Sequence, residues 1–109
     1  MDLAVTTREH SGWTVVAVDG DVDFGTARRL SEALSAAGAA YPWLVLDCAL
    51  LVFSDSSFLN AVLTSYNQTQ TDGGMLVIAA VPARLERKLG MTGLDQVISV
   101  YPSVAAAVA

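Results

Sequence analysis

Near the middle of this chain an apolar run, Leu51-Val52-Phe53, breaks into four small polar residues, Ser54-Asp55-Ser56-Ser57. Hydrophobicity resumes at once with Phe58-Leu59. A strand-like run that stops in hydroxyls and a carboxylate, followed by residues at helical spacing, implies a strand that ends where a helix begins. Side chains of this type can cap the first N–H groups of a helix, which have no partner within it. Beyond the break, Leu59, Val62, Leu63 and Tyr66 form an apolar stripe, while Asn60, Thr64, Asn67 and Gln68 mostly face away from it. Ser54, Asp55 and Ser56 are therefore expected to cap this helix. Ser57 is expected on its solvated side, in phase with Asn60, Ala61, Thr64 and Gln68.

The flanking segments set the architecture around that junction. Leu3 to Arg8 and Trp13 to Asp19 are strand candidates, and the short His10-Ser11-Gly12 link predicts an antiparallel hairpin. After the turn-rich Gly20-Asp21-Val22-Asp23, Thr26 is expected to cap a helix carried by Ala27, Leu30, Leu34 and Ala37. Pro42 ends it before a buried strand, Trp43 to Leu46. Gly73-Gly74 closes the next helix, Met75 to Ala80 reads as a fourth strand, and Pro82 opens a short helix through Leu85 and Leu89. Val97 to Val100 is a fifth strand candidate, followed by an Ala/Val-rich terminal helix. The order predicts one α/β domain over residues 1–109, with about four helices and a mixed, mostly parallel sheet of about five strands opened by the hairpin. Parallel strands end at the same edge of a sheet. Asp21 and Asp23 should thus approach Asp55 and Ser57.

Composition narrows the functional classes. Hydrophobic residues make up 53% and charged residues 16% of 109 residues, which fits a packed domain and not a disordered chain. Mean hydropathy is +0.48, yet the longest apolar run, Met75 to Ala83, contains Pro82 and falls short of the about 20 residues a spanning helix needs. The start, Met1-Asp2, lacks the basic and apolar regions of a signal peptide, so a cytoplasmic, membrane-free protein is expected. A net charge of −5, with only six basic residues, disfavours direct nucleic-acid binding. Cys48 is alone, so neither an internal disulfide nor a multi-thiolate metal site can form.

The Asp55-Ser56-Ser57 segment resembles the Asp-Ser-Ser-Gly-Leu segment of STAS domains, the family of bacterial anti-sigma factor antagonists. The likeness runs along nearly the whole chain. Gly20-Asp21-Val22-Asp23 resembles the family's Gly-Glu-Leu-Asp turn, with Thr26-Ala27 after it. Leu46-Asp47, Gly73-Gly74, Pro82 and Gly93-Leu94 follow in the family's order. The resemblance implies a non-enzymatic binding module phosphorylated at Ser57, with Asp23 shaping the site. Unphosphorylated, the module would bind an anti-sigma serine kinase and free a sigma factor; phosphorylation would weaken that complex and a serine phosphatase would restore it. Asp21, Asp23, Asp55, Ser56, Phe58 and Asn60 are the partner-binding candidates, and no cofactor or metal is implied.

Two positions depart from the family pattern: Phe58 and Asn60 stand where glycines are common. Phe58 either anchors a partner, as interface aromatics often do, or packs over the sheet edge or a loop. We expect it to tune partner choice. A STAS scaffold in another signalling assembly is an alternative. A magnesium-dependent phosphotransfer domain using Asp21, Asp23, Asp47 or Asp55 is another, although Lys88, in the Leu85–Leu89 helix, is not expected to complete such a site. His10, beside the first hairpin turn, is too remote for a Ser–His–Asp arrangement at Ser57.

Overall fold

The first hairpin turns within two residues, Ser11 and Gly12, which both hold positive φ as a twist-matched two-residue turn demands. It joins β1 (Leu3–His10) to β2 (Trp13–Val22), paired antiparallel from Leu3↔Gly20 to His10↔Trp13. This computed structural model describes residues 2–109. The chain continues through α1 (Ala27–Ala40), β3 (Trp43–Ser54), α2 (Ser56–Thr71), β4 (Met75–Ala79) and α3 (Ala83–Thr92). A short 3-10 turn (Leu94–Gln96), β5 (Val100–Tyr101) and α4 (Val104–Val108) complete it. The sheet order is β1-β2-β3-β4-β5, parallel throughout after the hairpin. This is the single α/β domain with a mixed five-stranded sheet and four helices that the sequence predicts.

Burial alternates along the strands and divides the core in two. Val16, Val18, Leu44, Leu46, Leu76 and Ile78 pack on one face with Leu30 and Leu34 of α1, Phe58 and Val62 of α2, and Leu85 and Leu89 of α3. Val15, Val45 and Val77 face the other way, toward Ala107 of α4, with Trp13 and Met75 packed against them. Cys48 is buried, and the loss of water around it pushes its thiol far up, with Asp47 adding to the effect. It is an inert core residue.

Four local expectations differ from the structure. Strand β3 runs to Ser54, well past Leu46, because its second half continues to pair with β2. The last strand is Val100–Tyr101, not Val97–Val100. The Val97 and Ile98 amides both donate to the Leu94 carbonyl, which winds that segment into a turn and leaves Val97 out in solvent. Thr26 precedes α1, but its side chain makes no cap bond to the helix. The buried face of α2 is Phe58, Ala61, Val62 and Thr69, while Leu63 is 36% exposed. The α2 stripe is thus rotated, because α2 packs against both the sheet and α1.

The Gly73-Gly74 pair does two separate jobs. Gly73 takes the left-handed φ of +81° that ends a helix, and Gly74 lets β4 start flush against Pro42. A Cβ on Gly74 would lie 2.0 Å from the Pro42 carbonyl oxygen, where the Met75 amide also donates. Backbone cannot yield there as a side chain would. Gly74→Ala should cost about 1–3 kcal/mol, the usual range for overpacking, read as a lower urea midpoint with an unchanged slope. An unchanged midpoint would show that the α2–β4 link can shift without loss.

Candidate functional site

Strands β2 and β3 end side by side, with Asp21 opposite Phe53 and Val22 opposite Ser54. The Asp55 amide donates to the Val22 carbonyl, which carries the pairing one residue further and fixes the start of α2 beside the turn that leaves β2. Register shifts at Ala17/Asp19 and Gly20/Asp21 bend this end of β2. At the second of them the Asp21 amide donates to the Asp2 carbonyl. The parallel topology therefore brings the Asp21–Thr26 turn and the Asp55–Ser57 junction together.

Asp55 caps α2. Its Oδ1 accepts from the Ser57 amide at 2.8 Å and its Oδ2 from the Phe24 amide at 3.1 Å. One carboxylate thus spans 31 residues of sequence and ties Ser57 to the β2–α1 turn. Partial burial alone would push the Asp55 carboxyl upward. The Ser57 amide and hydroxyl, the Phe24 amide and the Lys88 ammonium outweigh it and hold the carboxyl below its usual range.

Asp23 organises the turn itself. Its Oδ1 accepts from the Gly25 amide at 2.9 Å, the Thr26 amide at 3.0 Å and the Thr26 hydroxyl. Thr26 is buried, donates through Oγ1 to the Asp21 carbonyl at 2.7 Å and accepts from the Asp23 amide. Four consecutive amides, from Asp23 to Thr26, are satisfied within this small network. The turn is preorganised.

Ser57 is half-buried in the first turn of α2, less open than the solvated position expected for it, and its phase partner Ala61 is buried. Ser56 and Asn60 are exposed. Phe58 requires a correction. It is fully buried in the core between the sheet and the helices, so its side chain cannot touch a docking partner. Phe24 and Phe53 are exposed aromatics at this edge; Phe24 is the more open of the two, and composition and spacing did not single it out. Lys88 is a second correction: although it lies in a helix, it reaches the strand end that the sequence reading placed beyond it, because a helical position says nothing of how far a lysine reaches. Its ammonium donates to the Ser54 carbonyl and lies 5.5 Å from the centre of the Phe53 ring. Arg84 donates to the Val52 carbonyl at 3.0 Å. Arg84 and Lys88 of α3 thereby cover the edge of β3 that extends past β4.

The four acids weighed for phosphotransfer do not assemble into one metal-holding group. Asp47 lies 3.8 Å from Arg8, and Asp23 and Asp55 are held by amides. Among the described residues no three His, Cys, Asp or Glu side chains gather as a metal cage requires. None of the helices among those residues is long and apolar enough to cross a membrane.

A family model described as the STAS domain matches residues 4–107. The chain belongs to the STAS domain family. The crystal structure of an anti-sigma factor antagonist from Mycobacterium paratuberculosis is similar at 28% identity and a TM-score of 0.87, over 95% of this chain and 89% of that one. An anti-sigma-factor antagonist (STAS) domain protein from Planctomyces limnophilus shares the fold at 18% identity and a TM-score of 0.85, over 95% and 93% of the two chains. The anti-sigma factor antagonist SpoIIAA in its unphosphorylated form does so at 17% identity and 0.81, over 96% and 93%. The same fold also occurs in a sulfate transporter family protein and within an anion transporter. STAS membership therefore fixes the fold, which antagonists and transporter proteins share.

Proposed function

We propose that this STAS domain is a cytoplasmic anti-sigma factor antagonist switched at Ser57. With Ser57 unmodified, it binds an anti-sigma serine kinase and so releases a sigma factor. The kinase phosphorylates Ser57, the complex weakens, and a serine phosphatase resets the cycle. The observation that carries this reading is the Asp55 bridge, which sets Ser57 in the first turn of α2 and locks it to the acidic β2–α1 turn. The antagonist from Mycobacterium paratuberculosis, at 28% identity over nearly the full length, supports the same class.

The chemistry of the site suits a reversible charge switch. A phosphate at the start of α2 meets the positive end of the helix dipole, worth about 0.3–1 kcal/mol, so the fold tolerates it. It brings about −1.5 to −2 charges next to the Asp55 carboxylate, which already occupies the Ser57 amide. Burying such a group under a partner removes its water, and that desolvation opposes docking. Asp21, Asp23, Asp55, Ser56 and Asn60 form the proposed partner-facing surface; Phe58 supports it from within the core.

The site assignment is tested by incubating the protein with its co-purified kinase and ATP and mapping the phosphate by mass spectrometry. Phosphate should appear on Ser57 and vanish in Ser57→Ala, with the variant still folded because only one hydroxyl is lost. Phosphate on Ser56 alone, the more exposed of the pair, would overturn the assignment.

A further inference from the structure

Phe24 is 89% exposed, more than any other large apolar side chain among the described residues. It stands on the turn whose four amides are satisfied by Asp23, Thr26 and Asp55, and the same Asp55 carboxylate holds the Ser57 amide. An aromatic held in water on a rigid turn loses little further freedom when a partner covers it, which is how interface anchors gain their energy. We propose that Phe24 is the anchor through which the anti-sigma serine kinase docks, its ring entering an apolar pocket bordered by basic side chains; this rests on the function proposed above.

Area and charge select that occupant over a second copy of this chain. One aromatic buries on the order of 200 Å², against the roughly 1,200–2,000 Å² of a stable interface, so the ring needs a partner that supplies its own complementary surface. Self-association through this edge would also set Asp21, Asp23 and Asp55 against their own copies. A pocket with a basic rim matches the three acids and the net charge of −5. Docking through Phe24 draws the partner over the first turn of α2, where it reads the state of Ser57.

The test titrates one purified anti-sigma serine kinase, without ATP, with the wild-type chain and with Phe24→Ala and Phe24→Trp. Phe24→Ala should bind about thirtyfold more weakly or worse, with an unchanged melting curve, and Phe24→Trp should bind within a few-fold of wild type. In parallel, hydrogen exchange on the wild-type chain should show residues 23–26 protected when the kinase is added. Wild-type binding with equal affinity of Phe24→Ala, or no protection at 23–26, would overturn the anchor and leave the proposed function standing. No wild-type binding to the kinase would overturn both. A dimer of the chain alone that dissociates in Phe24→Ala would give the surface to a second copy and also overturn the proposal.

Discussion

Replacing Phe58 by alanine should destabilise the domain by about 3–5 kcal/mol, the usual cost of emptying a phenylalanine site in a core. Phe58 heads the fully buried side chains and packs in the cluster that joins α1, α2 and α3 to the sheet. That cluster draws on three helices and several strands, so a cavity within it cannot close by moving one element. For a domain of about this size, each kcal/mol lowers the melting temperature by roughly 4–8 °C. A fall of at least about 12 °C is therefore expected, readily seen by thermal circular dichroism. Phe58→Leu, which refills much of the volume, should lose far less. A melting temperature within about 2 °C of wild type, combined with weakened partner binding, would return Phe58 to the surface role that the core packing denies it.

The misreading of Phe58 has a definite physical origin. The helical stripe through Leu59, Val62, Leu63 and Tyr66 is a sound reading for a helix with one buried face. Helix α2, however, is covered by α1 as well as by the sheet, and the buried arc shifts to include Phe58, Ala61 and Thr69. Nothing in the local sequence announces that second neighbour. The global order was legible for the opposite reason: hairpin spacing, helical periodicity and the two-glycine stop are local signals, and the parallel crossover follows from their order. That inference brought Asp21 and Asp23 to the α2 junction across more than 30 residues, and the Phe24–Asp55 hydrogen bond spans this gap. What stayed hidden were contacts made by reach. Lys88 on Ser54, Arg84 on Val52 and the Phe24 amide on Asp55 depend on how α3 and the β2–α1 turn settle against the end of β3. The last strand starts later than its composition suggests because a single carbonyl, that of Leu94, captures two amides and winds up a segment of strand-like composition.

The direct test of the switch compares unphosphorylated and Ser57-phosphorylated protein against the same anti-sigma kinase. The phosphate itself is needed, because an aspartate substitution carries less charge and fewer acceptor oxygens. A dianion beside the ionised Asp55, on a half-buried residue whose amide is already engaged, must be stripped of water for the partner to close over it. A loss of about 3 kcal/mol would follow, on the order of a hundredfold in affinity, enough to tip competition toward a sigma factor. Isothermal calorimetry at fixed ionic strength measures both affinities, and circular dichroism verifies that the two forms share one fold. The account predicts that the phosphorylated form binds about a hundredfold more weakly with its fold intact; equal affinities of the two forms would contradict it.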